Sequence, residues 1–259
     1  MLWADRPLPD AIRAAAAAGF DAVECHWPYD TAPADVRVAL DETGLRMVGL
    51  NTARGDVAAD EFGLSAVPGR QVAARAAVDQ ALDYAAALGA RHVHVMAGNA
   101  NGPDAEAAFL ATLSYACDHP ARDGRAILIE PLNRVDAPEY FLRDTAQAEA
   151  ILDRLAHPAL RIMLDCYHVG RTEGDPLPVL SRLLPKVGHI QFAAVPDRGP
   201  PDHGDLDYGR VFKGIAALGW TAPLGAEYRP GPDTDATLGW MAAFRDDACH
   251  GHPQSRTPR

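Results

Sequence analysis

Short apolar runs recur along this chain, with helix-like stretches between them. The runs are DAVECHW (21–27), RMVGLNT (46–52), HVHVMAG (92–98), AILIEP (126–131), RIMLDCYH (161–168), VGHIQFA (187–193) and PLGAEYRP (223–230). Runs this short and this continuous predict strands buried on both faces, as in a parallel sheet. The intervening stretches predict helices over PADVRVALDETG, Pro68–Leu88, a segment from about Pro103, Asp144–Leu155, DPLPVLSRLLP, YGRVFKGIAALG and about Thr237–Asp247. A first helix, Leu8–Ala18, stands ahead of them, and Gly19, Gly44, Gly89 and Gly219 fall where helices are expected to stop.

Seven strand–helix repeats fit either a doubly wound sheet or a barrel. A doubly wound sheet usually carries a glycine-rich first turn, and neither G-x-G-x-x-G nor G-x-x-x-x-G-K-[ST] occurs. The pattern therefore predicts one α/β domain over 1–248, a TIM (β/α)8-type barrel, with 249–259 as a frayed tail. Only Met1–Ala4 precede the Asp5-Arg-Pro that leads into the first helix, too few for an ordinary strand. The expectation is a seven-strand, incompletely closed barrel, its first strand lacking or truncated. Either the true start lies upstream of Met1 or a partner subunit covers the gap.

With 259 residues, 48% of them hydrophobic, the chain can bury a large core. A formal net charge of −11 speaks against a nucleic-acid or anionic-membrane surface, though a local arginine can still hold a small anion. No charged-then-apolar leader and no bilayer-length apolar run is visible. Cys25, Cys117, Cys166 and Cys249 form no C-x-x-C pair, which predicts a reduced, cytoplasmic protein. Lys186 and Lys213 are the two lysines, one before a strand and one on a helix. Schiff-base chemistry needs a lysine at a strand's C-terminal end, so an aldolase of that type is disfavoured.

Glu130, Asp165, Gln191 and Glu227 each lie near the end of one of four successive strands. Strand alternation places Glu130 on the face of Ala126 and Leu128, Asp165 with Met163, Gln191 with His189 and Ala193, and Glu227 with Gly225. If those faces point inward, the four meet at one rim. Three carboxylates and one amide oxygen suit a hard divalent cation, Mg²⁺ or Mn²⁺, with Co²⁺ as a further candidate. Each residue also has a plainer reading. Glu130 can be a solvated strand end, Gln191 a buried amide, and Glu227 a partner of Arg229. Asp165 can be a helix N-cap, but Tyr167 and His168 are read as preceding any helix, which favours the ligand role. His94 and His189 read as packed barrel histidines, and Glu24 as a core-lining or site-bonding acid. Cys166 reads as inert, and His250 and His252 as tail residues with no metal role.

In order along the chain, GFDAVECHWPYD (19–30), Gly55-Asp56 to Val67-Pro68-Gly69-Arg70, HVMAG (94–98), LIEPLN (128–133), LDCYH (164–168), GHIQFAAVPDRG (188–199), GDLDYGRVF (204–212) and GAEYRP (225–230) resemble the hydroxypyruvate isomerase family of xylose-isomerase-like barrels. The resemblance implies a TIM barrel with one divalent cation held at Glu130, Asp165, Gln191 and Glu227, and with Glu130 and Glu227 as the proton-transfer residues. It also implies that His168 and Arg198 contact substrate oxygens. The chain departs from the family pattern at Ala193-Ala194, where the family has Ala-Asp, and at Gly204-Asp205, where it has Gly-Glu. It has Val57 in place of a tryptophan, and it lacks the family's first strand with its asparagine.

The implied reaction is metal-assisted aldose–ketose isomerisation of a small anionic hydroxy-keto acid, hydroxypyruvate to tartronate semialdehyde through an enediolate. Arg198 is the first candidate for the substrate carboxylate and Arg229 the second. A 2-oxo-tetronate isomerase or a sugar epimerase on the same scaffold is the nearest alternative. A non-catalytic decayed barrel has no use for both glutamates, and a repair nuclease of the same superfamily calls for several metals and a basic face. Self-association is left open.

Overall fold

The computed structural model describes residues 1–119 and 122–249. Seven strands form one sheet in strict sequence order. They are β1 (Ala22–Cys25), β2 (Arg46–Asn51), β3 (His92–His94), β4 (Ala126–Ile129), β5 (Leu160–Asp165), β6 (Val187–Phe192) and β7 (Leu224–Ala226). Every neighbouring pair is parallel. A doubly wound sheet reverses its strand order at a switch point; here the order runs without reversal, as in a barrel.

Helix α1 (Leu8–Ala17) precedes β1. The connections then carry α2 (Pro33–Thr43), α3 (Gln71–Leu88), α4 (Gly102–Asp118), α5 (Thr145–Leu155), α6 (Cys166–Thr172) with α7 (Pro176–Leu183), and α8 (Tyr208–Ala217). Helix α9 (Trp240–Cys249) follows β7. Outward strand residues such as Val93, Ile127, Ile129, Ile162, Leu164 and Ile190 are fully buried against this ring. Burying each side chain of that size contributes about 1.5–3 kcal/mol. The alanines of α3 (Ala74, Ala77, Ala81, Ala85) leave that helix flat enough to lie close on the sheet, with Val78 and Leu82 filling the space between.

Strands β1 and β7 each pair on one side only, so the barrel is nearly but not fully closed, as the short stretch before α1 led us to expect. One sequence expectation needs correction. Helix α6 starts at Cys166, directly after β5, so Tyr167 and His168 do not precede it; they sit in its first turn. At the C-terminus, α9 runs to Cys249. The rest of the expected tail, with His250 and His252, lies outside the described residues.

The loops after the strands are pinned at the same end of the barrel as the polar residues. Gly63 pairs with Ala97 in an antiparallel bridge. Gly98 holds φ +94°, and a Cβ there would stand 2.2 Å from the Gly63 carbonyl oxygen, so only glycine allows the two loops to touch. Among the described residues no helix is long and apolar enough to cross a membrane.

Candidate active site

Asp165 ends β5, Gln191 lies on β6, and Glu130 and Glu227 follow β4 and β7 by one residue. Asp165 and Gln191 are direct partners across the β5–β6 ladder. All four are buried, from 1% exposed for Asp165 to 8% for Glu227. One ligating atom each from Glu130, Asp165 and His168 lies within 4.8 Å of the others. Among the described residues this is the one such group of three or more His, Cys, Asp or Glu.

Arg198 enters from the loop after β6 in a left-handed conformation, φ +60°. Its Nη2 donates to Glu227 Oε2 at 2.6 Å and stands 3.8 Å from Asp165 Oδ2. The guanidinium also lies over the Tyr167 ring, 5.1 Å from its centroid. The other oxygen of Glu227 meets His26 Nε2 at 2.7 Å. Glu227 therefore does not pair with Arg229 by the contacts described; Arg229 is exposed, and its backbone N–H donates to the Arg198 carbonyl.

These surroundings separate the two glutamates. Burial, together with the charges of Glu227 and Asp165, pushes the Glu130 carboxyl well above the usual carboxylate range. Burial also acts to raise Glu227, but the Arg198 charge and the His26 hydrogen bond outweigh it and hold the group below its ordinary value. Asp165 is raised by burial and by the Glu227 charge.

Asp165 divides its two oxygens between structure and site. Oδ1 accepts from the Tyr167 backbone N–H at 2.8 Å and caps α6. Oδ2 has no hydrogen-bond partner. The same holds for Glu130 Oε1 and Gln191 Oε1. Gln191 is oriented by its other end, since its Nε2 donates to Glu24 Oε1 at 3.1 Å. Glu24 Oε2 faces His189 Nε2 at 2.8 Å, as an ion pair rather than a well-aligned hydrogen bond. Buried acceptors are rarely left without a donor. Three orphaned oxygens on adjacent strand ends are the donor set a hard divalent cation takes.

His168 belongs to the same cluster but is set up differently. The Asn133 backbone N–H donates to its Nδ1 at 3.0 Å, and Asn133 Nδ2 approaches the same atom at 2.7 Å. Asn133 is itself fixed, because its Oδ1 accepts from the N–H groups of Val135 and Asp136. With Nδ1 accepting, the ring proton resides on Nε2. Burial and the Arg198 charge lower the imidazole to about 3, which keeps it neutral. His168 thus presents an N–H donor, 3.9 Å from Glu130 Oε1. That suits a substrate oxygen and not a cation. His94, read from sequence as a packed barrel residue, lies beside the site, its Nδ1 3.7 Å from Glu130 Oε2.

Sequence reading did not single out His26, Asn133 or Asp136. Asp136 accepts from the Tyr167 hydroxyl at 2.6 Å. His26 directly follows β1, and that position was the available signal. Asn133 and Asp136 lie in a loop with no periodicity to mark them.

The family model of the xylose isomerase-like TIM barrel matches residues 12–244. A 2-oxo-tetronate isomerase of Cupriavidus necator is 40% identical over 248 residues, 94% of this chain and 95% of that one. A putative hydroxypyruvate isomerase of Mus musculus is 40% identical over 258 residues, 96% of this chain and 92% of that one. Among solved structures, a Brucella melitensis protein described as an AP endonuclease of family 2 superposes with a TM-score of 0.89 at 34% identity, covering 94% of this chain and 95% of that one. By fold, by the extent of the match and by these relatives, the chain belongs to the xylose isomerase-like TIM barrel family.

Proposed function

We propose that the chain isomerises a small hydroxy-keto acid, with hydroxypyruvate to tartronate semialdehyde as the reaction. The observation that carries the reading is a pair of buried glutamates, Glu130 and Glu227, at the ends of non-adjacent strands around one set of orphaned oxygens. The naming of relatives as 2-oxo-tetronate and hydroxypyruvate isomerases supports the same class. Net charge −11 and a single ligand cluster among the described residues do not favour a nuclease.

Glu130, Asp165, Gln191 and Glu227 would hold a divalent cation, Mg²⁺ or Mn²⁺ first and Co²⁺ next. When bound, the cation supplies Lewis-acid polarisation of a carbonyl and neutralises charge on oxygen. The remaining work falls to the chain. One glutamate takes a proton from the CH₂OH carbon, leaving an enediolate, and the other returns a proton to the neighbouring carbonyl carbon. The hydroxyl proton passes from one oxygen to the other, so no oxidant or reductant is needed. The Nε2–H of His168 donates to a substrate oxygen. Arg198 turns from Glu227 to the substrate carboxylate, for which its planar fork is suited.

A 2-oxo-tetronate is the second substrate reading; it shares the reacting carbons and needs a longer wall. Both readings are tested by following hydroxypyruvate, 2-oxo-tetronates and neutral ketoses in D₂O by NMR, with Mg²⁺, Mn²⁺ or Co²⁺ added. Turnover of an acid is expected. Turnover of neutral sugars alone would replace the proposal with an epimerase.

A further inference from the structure

Arg198 reaches the site from an irregular segment between β6 and α8. Backbone bonds fold that segment onto itself. The Ala194 N–H donates to the Gly199 carbonyl and the Arg198 N–H to the Ala194 carbonyl, both at 2.9 Å. The Asp205 N–H donates to the Val195 carbonyl at 2.7 Å, which brings the far end of the segment back to its start. Within it Arg198 holds φ +60°, a conformation that residues with a side chain keep only where their surroundings enforce it. One side-chain cluster adds to these backbone bonds, and the reaction described above does not use it.

His203 stands at its centre. Its Nε2 meets Asp197 Oδ2 and its Nδ1 meets Asp202 Oδ1, each at 2.8 Å. Asp197 directly precedes Arg198, and its other oxygen accepts from the Gly199 N–H at 3.1 Å. One carboxylate therefore brackets Arg198 on both sides and is gripped from across the segment by the imidazole. The ring also packs on Gly199, where a Cβ would stand 2.9 Å from His203 Cε1. A neutral imidazole has one N–H and can donate to one of the two aspartates; an imidazolium has two and donates to both. The charged groups that face the ring are Asp197, from the Arg198 turn, and Asp202, its own neighbour. Hydrogen bonds to Asp202 first and Asp197 next raise the imidazole above its ordinary value. The His203 side chain is 46% exposed, so water weakens each pair while giving protons free access to the ring.

We infer that His203 is a positioning residue for Arg198: as an imidazolium it clamps Asp197 to Asp202 and so fixes the turn from which Arg198 enters the site. The consequence for anion binding rests on the reading of Arg198 as the group that takes the substrate carboxylate. When the clamp opens, a smaller fraction of molecules holds Arg198 where an acid substrate needs it, and apparent affinity falls by that fraction. The sign follows from the chemistry of the ring. The clamp is complete below the ordinary histidine value and is lost as pH rises through the raised one.

The test compares the parent with His203→Asn, which carries no cation, and His203→Arg, whose planar fork can bond both carboxylates at every pH. Two readouts are taken from about pH 6 to about pH 9, across the histidine range. Without substrate, NMR follows the His203 ring together with the backbone amide and Nε–H signals of Arg198. In the parent the Arg198 signals are expected to show a step that tracks the His203 ring, and both variants should lack that step. With Mn²⁺ and hydroxypyruvate, KM of His203→Asn is expected to be about two- to tenfold above the parent at the lower pH and to converge with it at the upper, kcat staying within about twofold. His203→Arg should keep the low KM at both. Arg198 signals that ignore the His203 titration overturn the inference. So does a KM ratio that is the same at both ends of the range, which would mark His203 as part of the loop's architecture alone. Arg198 signals that follow His203, with no turnover of hydroxypyruvate, would strike the substrate reading and leave the clamp standing.

Discussion

Replacing Glu24 with leucine tests how the site aims the Gln191 amide. Glu24 accepts from Gln191 Nε2 with one oxygen, at 3.1 Å, and faces His189 Nε2 with the other, at 2.8 Å. Burial opposes its charge, yet the close contact with the His189 charge and the Gln191 hydrogen bond hold its carboxyl below the usual range. Gly225 leaves the space for it; a Cβ there would stand 2.3 Å from Glu24 Oε1. Leucine removes both interactions and leaves a buried imidazole and amide without partners. Breaking a buried pair costs about 3–5 kcal/mol. The Glu24 side chain keeps 24% exposure, which discounts that figure to about 2–4 kcal/mol. Gln191 also loses the bond that turns its oxygen inward, and loss of such an outer partner lowers metal affinity about 10–100-fold. Glu24→Gln is the control. Its oxygen can still accept from Gln191, so metal affinity should stay within a few fold while part of the stability is lost. Urea denaturation followed by circular dichroism measures the first effect, and calorimetric titration with Mn²⁺ the second. If Glu24→Leu binds Mn²⁺ as tightly as the parent, Gln191 is not oriented through Glu24 and the reasoning fails.

Glu130→Gln and Glu227→Gln should each abolish nearly all turnover while leaving the far-ultraviolet spectrum unchanged; in D₂O the parent should place deuterium on product carbon, and conversion without it would point to a hydride shift. Arg198→Ala should raise KM for an acid substrate more than for a neutral sugar, because only the acid loses a charge-assisted hydrogen bond; equal effects would remove Arg198 from carboxylate binding. Chelation should lower the melting temperature and added Mn²⁺ restore it, and a Mn²⁺-soaked crystal should place oxygens of Glu130, Asp165, Gln191 and Glu227 at about 2.0–2.6 Å from the ion. Gly98→Ala should destabilise by about 1–3 kcal/mol in urea titration, since the new methyl meets the Gly63 carbonyl oxygen in a backbone conformation that alanine resists.

The sequence by itself determined the seven strands, most helix ends and the polar residue closing each of the last four strands. The reason is local. Ladder and helix hydrogen bonds impose fixed side-chain periods, and apolar residues must follow those periods to be buried. It also foretold the unpaired edges of β1 and β7, since Met1–Ala4 left no room for a strand. Tyr167 and His168 were read as preceding any helix, which favoured the ligand role of Asp165 over the N-cap role; yet a carboxylate has two oxygens, and Asp165 caps α6 with one while the other has no hydrogen-bond partner. Tertiary structure alone decided how the site is held. His26 reaches Glu227 across 201 residues, Glu24 turns Gln191 across 167, and Asn133 sets the His168 proton across 35. None of these pairs leaves a periodic trace, because each depends on which strand ends the barrel brings side by side and not on any repeat along the chain.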